Sequence, residues 1–454
     1  MYDLVIKKGR VVTEEKILDT DIAVEGEKIA AIGEGLTGKR EILAEGKLVL
    51  PGGIDIHTHM ALPVAGTASS DSFYTGTVAA ACGGITTIVD FTVGSSDTSL
   101  IQNIEERINM AREAVIDYTF HCEIVGWNDQ RLREIYESYN KGLRSFKFFT
   151  AYGDSGRRTD NGALLEAFNA IASLNGVALI HAEDDDIIRQ LERNLSEKEW
   201  GKMSSLARTR PDVCEASAIS TVSWLARQSR THVHIVHLSS ALGLQEVIQA
   251  RRLGTCISTE TCPQYLFLTE SVYDSPEGYL FSASPSLKTK QDNERLWMGL
   301  LNGDIDIIAT DHCPFTKKQK EWKGSFKKLP YGLPGVETSR VLLFSEGVRK
   351  KRISLSNFVR LTAGSPARLM GMYPQKGVLA PGSDADIVIF DQEKKWTLSA
   401  GTLHMAVDFS PYENVPVIGK TWCTLSRGTV IVENGEYVDL QRRGHFLQYR
   451  ETGA

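Results

Sequence analysis

The chain has 454 residues, of which 42% are hydrophobic and 24% are charged, and its formal net charge is -6. This length exceeds one ordinary domain, and the composition is typical of a globular protein with a large core. The modest charge and the lack of a long basic run argue against a nucleic-acid partner. No segment has the apolar length of a signal peptide or a membrane span, so we expect a cytoplasmic protein without a membrane partner. The seven cysteines contain no close CxxC pair, which favours reduced thiols over a disulfide framework.

Both ends of the chain have the pattern of short β-strands. In the first 50 residues, apolar runs bounded by turn signals occur at 4–6, 10–12 and 21–24. A similar pattern returns near the C-terminus, where an apolar run at 429–432 precedes Asn434-Gly435, a strong hairpin turn. We therefore predict one small β-sandwich domain built from residues 1–50 and 375–440, with a C-terminal tail at 441–454.

The middle of the chain alternates between strand-like and helix-like segments. Apolar runs of strand length occur at 53–57, 86–91, 117–122, 145–149, 177–182, 233–238, 255–259 and 305–310. Helical spacing of apolar residues lies between several of them, for example at 99–115 and 161–174. This alternation predicts an α/β fold, a TIM-like (β/α)₈ catalytic barrel over residues 51–374. In such a barrel the active site lies where the strands end.

Metal-ligand side chains stand at the ends of four predicted barrel strands. The first run leads into His57-Thr58-His59, and alternate residues of a strand point to the same face, so both histidines can reach one metal ion. The fifth run contains His181, the sixth contains His237, and Asp311 follows the eighth. Each residue alone is compatible with an ordinary polar strand end, but together they predict a metal site.

Lys147 lies among aromatic residues in the fourth run, Ser145-Phe146-Lys147-Phe148-Phe149. A charged lysine without a partner is costly on a core strand. It is compatible with a buried ion pair or with an ammonium group that reaches the barrel mouth. The surrounding ligand-type residues favour a third interpretation, in which carbon dioxide carbamylates the amine and the resulting carboxylate bridges two cations.

Six segments spread over nearly the whole chain match the motifs of one family: 51–59, 83–91, 145–152, 260–266, 310–315 and 382–386. Through them the sequence closely resembles the dihydropyrimidinase/hydantoinase branch of the cyclic amidohydrolases. The segment Glu260-Thr261-Cys262-Pro263-Gln264-Tyr265-Leu266 is particularly diagnostic of this branch. The resemblance implies a hydrolase that opens the cyclic amide bond of hydantoins or dihydropyrimidines to N-carbamoyl amino acids.

The resemblance further implies two divalent metal ions per subunit, with the ligands His57, His59, Lys147, His181, His237 and Asp311. The first two histidines and the aspartate would hold one ion, and the other two histidines would hold the second. Lys147 would bridge the ions as N6-carboxylysine, a carbamate derived from carbon dioxide. Zinc (Zn2+) is the default for histidine and carboxylate ligands, although manganese, cobalt or iron can occupy such sites.

Catalytic and substrate-binding roles follow from the same resemblance. Asp311 would take the proton of the attacking hydroxide and deliver one to the leaving nitrogen. Tyr152 would donate a hydrogen bond to the oxyanion, and Ser284 and Tyr331 would contact the cyclic amide. Two further histidines match no ligand position, and we interpret them as structural: His232 and His234.

The sequence departs from the family pattern in three places. Tyr331 replaces a common asparagine, which predicts a narrower pocket. Ser286 and Lys288 stand where proline and arginine are usual. The loop at 153–158 is more polar than the lid of enzymes for bulky apolar hydantoins, and it ends in Arg157 and Arg158. We interpret both arginines as part of an exposed loop, with recognition of a polar or anionic ring substituent as the alternative.

Other members of the superfamily are less compatible with the sequence. Dihydroorotases usually have arginine where this chain has Ala61, whereas allantoinase-type ring opening stays an alternative. A non-catalytic scaffold is disfavoured because such relatives typically lose metal ligands, and all six positions are filled here. Ring size and stereopreference would depend on the loops near 60–72, 92–99 and 153–160. The resemblance also implies a homotetramer or homodimer, to which the segment from Ala406 onward contributes.

Overall fold

A computed structural model describes residues 1–439, 441 and 443–449 of the chain. Its strands are β1 (Tyr2–Val12), β2 (Ile17–Glu25), β3 (Lys28–Gly33), β4 (Gly38–Leu43), β5 (Leu48–Pro51), β6 (Gly53–Thr58), β7 (Pro63–Val64), β8 (Thr67–Ala68), β9 (Ile85–Phe91), β10 (Asp117–Glu123), β11 (Ser145–Phe149), β12 (Val177–His181), β13 (His232–Ile235), β14 (Ile257–Thr261), β15 (Ile307–Ile308), β16 (Ile387–Thr397), β17 (Pro416–Ser426), β18 (Thr429–Glu433) and β19 (Glu436–Tyr437).

The α-helices lie mainly between the barrel strands. They are α1 (Phe73–Cys82), α2 (Leu100–Ala111), α3 (Arg131–Asn140), α4 (Asn161–Ser173), α5 (Asp185–Arg193), α6 (Glu197–Trp200), α7 (Ser205–Thr209), α8 (Asp212–Ser229), α9 (Ala241–Arg252), α10 (Pro263–Phe267), α11 (Lys290–Asn302), α12 (Ser339–Leu342), α13 (Leu355–Val359) and α14 (Ser365–Leu369). Short 3-10 turns occur at Gly153–Ser155, Glu270–Asp274, Gly278–Phe281, Phe326–Lys328 and Ala400–Thr402, and π-helical turns at Leu343–Val348 and Arg360–Gly364.

Eight parallel strands form the predicted barrel, in the order β6-β9-β10-β11-β12-β13-β14-β15. A bridge between Thr58 and His312 joins the end of β6 to the segment after β15, which brings the first and last strands together. The predicted helices within 99–115 and 161–174 are α2 and α4. Each begins at a side-chain cap, because Ser99 accepts a hydrogen bond from the amide of Gln102 and Asp160 accepts two from the first turn of α4. The (β/α)₈ prediction is confirmed.

Strands from both ends of the chain build a separate nine-stranded sheet, in the order β19-β18-β17-β16-β5-β1-β2-β3 with β4 beside β1. The predicted hairpin is present, with Asn434 and Gly435 both at positive φ between β18 and β19. The two strands expected at 4–6 and 10–12 are instead one strand, β1, whose pairing with β2 is irregular between Ile6 and Gly9. The irregular pairing accommodates the residues between the two apolar runs, so the strand continues through them. The domain boundaries at 50 and 375 stay a prediction.

Alternation along the central strands packs the sheet onto the barrel. On β5, Leu48 and Leu50 belong to the large core that includes the barrel helices, whereas Val49 belongs to the sheet's own apolar core. On β16, Val388 and Ile389 divide in the same way. Because successive side chains of a strand point to opposite faces, one face of the sheet packs against the large core and the other face packs against the sheet's own core.

A buried ionic cluster also connects the sheet to the barrel. Nζ of Lys376 lies 2.7 Å from carboxylate oxygens of Asp117 and Asp386 and 3.0 Å from Asp384. Burial would lower the pKa of Lys376, but the three carboxylates raise it instead. Although the three acids are close enough to share a cation, the lysine already supplies the positive charge.

All seven cysteines are free thiols, in agreement with the sequence prediction. Within the described part of the chain, no helix has both the length and the apolar character needed to cross a membrane.

Candidate active site

A cavity of about 460 Å³ opens at the C-terminal ends of the barrel strands. Its wall contains every residue that the sequence predicts for the site: His57, His59, Lys147, Tyr152, His181, His237, Ser284, Asp311 and Tyr331. They come from different strands and from the loops that follow them. Parallel barrel strands all end at the same face, so residues far apart in the sequence meet at one mouth.

The first candidate ligand group consists of His57, His59 and Asp311. Oδ1 of Asp311 lies 3.2 Å from Nε2 of His57 and 3.1 Å from Nε2 of His59. Each of the three residues offers one ligand atom within 4.8 Å of the other two. Burial would raise the pKa of Asp311, but the two histidines hold it well below its usual range. The aspartate is therefore ionised and available as a ligand.

Glu260 determines which nitrogen of His57 is free. Its Oε1 lies 2.5 Å from Nδ1 of His57, so Nδ1 carries the shared proton and Nε2 is left toward Asp311. Burial would lower the pKa of His57, but the carboxylates of Glu260 and Asp311 raise it to about 9. The same two carboxylates would favour a metal cation at Nε2, where the cation would take the place of the second proton.

The second ligand group pairs His181 at the end of β12 with His237 just after β13. Nδ1 of His181 lies 2.9 Å from Nε2 of His237, while Nε2 of His181 lies 2.8 Å from Oε2 of Glu183. Burial would raise the pKa of Glu183, but the charge of Arg210 and the hydrogen bond from His181 hold it below its usual range. The two facing imidazole nitrogens are close enough to share one cation.

The four imidazole rings form a continuous row across the floor of the cavity. Successive ring centroids are 5.1 Å apart from His59 to His57, 5.4 Å from His57 to His237, and 4.6 Å from His237 to His181. Nδ1 of His59 and Nδ1 of His237 have no hydrogen-bond partner within the part of the chain that the structure describes. The row thus joins a group that can hold a cation, His57 and His59 with Asp311, to the neighbouring histidine pair.

Lys147 lies in the same cavity without a carboxylate partner among the described residues. Its Nζ is 5.2 Å from the ring centroid of Phe91 and 5.1 Å from that of Phe149. The ion pair considered from the sequence is absent from residues 1–439, 441 and 443–449. Burial lowers the pKa of Lys147 to about 8, which increases the fraction of neutral amine near neutral pH.

Tyr152 and Ser284 form one side of the cavity. The Tyr152 hydroxyl donates a 2.5 Å hydrogen bond to Oγ of Ser284, which donates one of 3.3 Å to Oε2 of Glu183. Burial raises the pKa of the Tyr152 phenol, which therefore keeps its proton. A protonated phenol facing the cavity can donate a hydrogen bond to a substrate oxygen.

Three residues of the site have left-handed backbone conformations: Tyr152 at φ 66°, His237 at φ 41° and Asp311 at φ 51°. Such conformations are uncommon for residues with a side chain and often occur at functional sites. They lie immediately after or near the ends of β11, β13 and β15, where each chain segment turns away from its strand. The turn directs the side chain into the cavity.

Several residues around the ligands have no role in the sequence prediction. Glu183 and Arg210 support His181, and Glu260 supports His57. A usable signal was present for Glu183, which follows His181 at the strand spacing of two, and for Glu260, which lies in the diagnostic segment at 260–266. Arg210 gives no such signal, because it lies before α8 and reaches the site only through the fold.

His232 and His234 lie outside the cavity wall. Nε2 of His232 and Nδ1 of His234 are each 2.8 Å from Oγ of Ser258, and Nε2 of His234 is 3.1 Å from Oε2 of Glu260. These contacts agree with a structural role. His234 also helps to position Glu260.

The three departures from the family pattern have separate structural consequences. Tyr331 lines the cavity, and its effect on the width of the pocket stays a prediction. Lys288 is buried, and its Nζ donates a hydrogen bond of 3.0 Å to Oγ of Ser286 and one of 2.8 Å to the carbonyl of Arg210. The replacements at 286 and 288 therefore contact each other. The interpretation of both loop arginines as exposed is wrong for Arg157, which lines the cavity and binds Glu123.

Comparisons with known proteins agree over nearly the whole chain. The family model described as "Amidohydrolase family" matches residues 48–419. The D-hydantoinase of Geobacillus stearothermophilus is 38% identical, with 99% of this chain and 97% of that protein covered. The D-phenylhydantoinase of Escherichia coli O1:K1 / APEC is 39% identical, with 98% of each chain covered. The crystal structure of dihydropyrimidinase from Brevibacillus agri NCHU1002 matches with a TM-score of 0.96 and 38% identity, again over 98% of each chain.

Proposed function

This chain belongs to the amidohydrolase family, and we propose that it hydrolyses the cyclic amide bond of hydantoins or dihydropyrimidines to give N-carbamoyl amino acids. The convergence of two histidine pairs, Asp311 and Lys147 in one cavity carries this proposal. Full-length similarity to enzymes named D-hydantoinase and D-phenylhydantoinase supports the substrate class.

The ligand residues are proposed to hold two divalent cations, with zinc as the default. His57, His59 and Asp311 would hold one cation, and the pair formed by His181 and His237 would hold the other. When bound, the two cations supply positive charge that lowers the pKa of water and polarises the substrate carbonyl. This chemistry agrees with the orientation of the two histidine pairs by Glu260 and Glu183.

Lys147 is proposed to be N6-carboxylysine. Its neutral amine adds to carbon dioxide and loses a proton, which gives a carbamate with two oxygen ligands. A buried amine without a carboxylate partner, beside two groups of ligands, supports this modification. The carbamate also replaces an unpaired ammonium by an anion that the cations neutralise.

The protein residues then carry out the proton and charge transfers of hydrolysis. Asp311 accepts a proton from the attacking water, and the oxygen adds to the ring carbonyl carbon. The phenol of Tyr152 donates a hydrogen bond to the oxygen that becomes negative. As the carbon–nitrogen bond breaks, Asp311 returns the proton to the leaving nitrogen. Ser284 and Tyr331 line the same space and are proposed to orient the ring.

Allantoinase-type ring opening is the second candidate, and it uses the same residues. A non-catalytic scaffold is weaker, since all six ligand positions are filled and face the cavity. We also propose a cytoplasmic homotetramer or homodimer. The segment from Ala406 onward is the proposed contributor to that assembly.

The test is a substrate panel with protein purified in the presence of divalent metal and bicarbonate. The panel contains dihydrouracil, hydantoin, both enantiomers of substituted hydantoins, and allantoin. Release of the ring-opened product measures turnover, and the bound metal is measured separately. We expect two metal ions per chain and turnover of hydantoin or dihydrouracil. Turnover of allantoin alone would select the second candidate, and absence of both metal and turnover would support the scaffold.

A further inference from the structure

An arginine–glutamate pair forms part of the cavity wall beside the ligand groups. Nη1 of Arg157 donates a 2.7 Å hydrogen bond to Oε1 of Glu123, which ends β10. The side chain of Glu123 is 3% exposed and that of Arg157 is 27% exposed. Both residues line the cavity, so the pair faces the space that a substrate would occupy.

Several contacts hold the pair in place. The guanidinium carbon of Arg157 lies 5.4 Å from the centroid of the Phe149 ring, the same ring that lies 5.1 Å from Nζ of Lys147. Oε1 of Glu123 also accepts a 3.3 Å hydrogen bond from the amide of Gly94. One aromatic ring thus separates the pair from the proposed reaction centre.

Both members of the pair have further polar atoms that can form hydrogen bonds. Nε and Nη2 of Arg157 have no acceptor, and Oε2 of Glu123 has no donor, among residues 1–439, 441 and 443–449. The cavity wall therefore presents donors and an acceptor side by side, with a net charge of zero. A carboxamide or ureido group has the complementary arrangement, because it carries one carbonyl acceptor and N–H donors in one plane.

We propose that Arg157 and Glu123 determine specificity for a ring substituent that ends in a neutral carboxamide group. This inference rests on the proposed ring opening and adds the chemistry of the substituent. A carboxylate would gain attraction from Arg157 but meet repulsion from Glu123. An apolar substituent would cover both charges without replacing their hydrogen bonds to water, which costs free energy.

Arg158 provides a matched comparison on the same loop. It binds Asp186 through two hydrogen bonds of 3.0 and 3.1 Å, and it is absent from the cavity wall. Removing its charge also takes one cation and its ion pair from the same loop, but it leaves the cavity lining unchanged. Arg158→Met is therefore the control for Arg157→Met.

The experiment compares hydantoins whose 5-substituents have nearly the same shape: carbamoylethyl, carboxyethyl and isopentyl. Both enantiomers of each compound are assayed. Unsubstituted hydantoin serves as the reference for ring opening itself. With the native protein we compare, for each compound, the enantiomer that is opened faster. We expect its kcat/KM for the carbamoylethyl compound to exceed the values for the carboxyethyl and isopentyl compounds by about tenfold or more. Arg157→Met should remove this preference, whereas Arg158→Met should keep it.

Glu123→Gln tests the balance of charge within the pair. This variant leaves Arg157 without its anion. We therefore expect kcat/KM for the carboxyethyl compound to rise relative to that for the carbamoylethyl compound, with both values divided by that for unsubstituted hydantoin in the same variant. If the native protein opens the isopentyl or carboxyethyl compound at least as well as the carbamoylethyl compound, the inference is wrong while ring opening stands. If none of the four hydantoins is opened, the inference is wrong, and the proposed function fails with it when dihydrouracil is not opened either.

Discussion

Oε1 of Glu260, near the end of β14, lies 2.5 Å from Nδ1 of His57, near the end of β6. The same carboxylate accepts a 3.2 Å hydrogen bond from the amide of His237 and lies 3.1 Å from Nε2 of His234. Glu260 thus contacts both proposed ligand groups, although it is not itself proposed as a ligand. It is positioned to fix the orientation of His57 and the backbone from which His237 projects.

Replacing Glu260 by glutamine should weaken metal binding. Glu260→Gln keeps the shape but removes the anion that favours Nδ1-protonated His57, and loss of such a partner typically costs about 10–100-fold in metal affinity or activity. Metal content after dialysis and kcat/KM measure the effect. Glu134→Gln is the control, since Glu134 is also buried but pairs with Arg131 on α3. Equal metal retention in both variants would contradict the positioning role.

Lys147→Ala should abolish the bridge between the two proposed cations. Without the carbamate, the two groups of ligands lose their shared anion, so we expect less than two metal ions per chain and little turnover. Short carboxylic acids should restore part of both, because their carboxylate can occupy the vacated space. The native protein in the same acids is the control. Full activity of the variant without added acid would refute the bridging role.

Asp311→Asn should leave the fold intact and remove nearly all turnover. The change takes away a charged ligand and the group proposed to transfer the proton, and general acid–base catalysis alone contributes typically about 10²–10⁴-fold. Steady-state kcat gives the catalytic loss, and circular dichroism with a melting curve checks the fold. A variant with native melting and only a severalfold lower kcat would exclude Asp311 as the proton carrier.

The ligand groups could be predicted from the sequence because strand ends in a parallel barrel share one face. His57, His181, His237 and Asp311 each stand at or just after the end of an apolar run, so the barrel pattern alone brings them together. Tyr152, Ser284 and Tyr331 lie on loops, and only the family resemblance connected them with the site.

The supporting residues were harder to predict for a physical reason. The sequence predicts the seventh strand at 255–259, whereas β14 spans Ile257–Thr261. Glu260 is polar because it supports His57, and the hydroxyl of Thr261 donates to the carbonyl of Leu238, so both residues interrupt the apolar pattern that identifies a strand. The pairing of Arg157 with Glu123 depends on how the loop after Tyr152 folds, and a polar loop without periodicity gives no such information.

The buried cluster around Lys376 leads to a prediction about stability. Lys376→Met leaves three buried carboxylates with less compensating charge, and removing one partner of a buried ion pair typically costs about 3–5 kcal/mol. We expect a correspondingly lower free energy of unfolding, measured from the denaturant midpoint at fixed metal concentration. The bonds to Asp117 and Asp386 join barrel strand β10 to the sheet, so unfolding should become less cooperative as well.

Lys28→Met is the matched control for this cluster. Lys28 lies 2.6 Å from Asp384, but its side chain is 49% exposed, and water can replace the lost contact. An exposed ion pair is worth at most about 1 kcal/mol, so Lys28→Met should have a small effect. Both lysines contact Asp384, so the difference between the variants measures the effect of burial and of the two further carboxylates of Lys376. A loss of stability in Lys376→Met as small as that in Lys28→Met would mean that the cluster does not depend on its buried lysine.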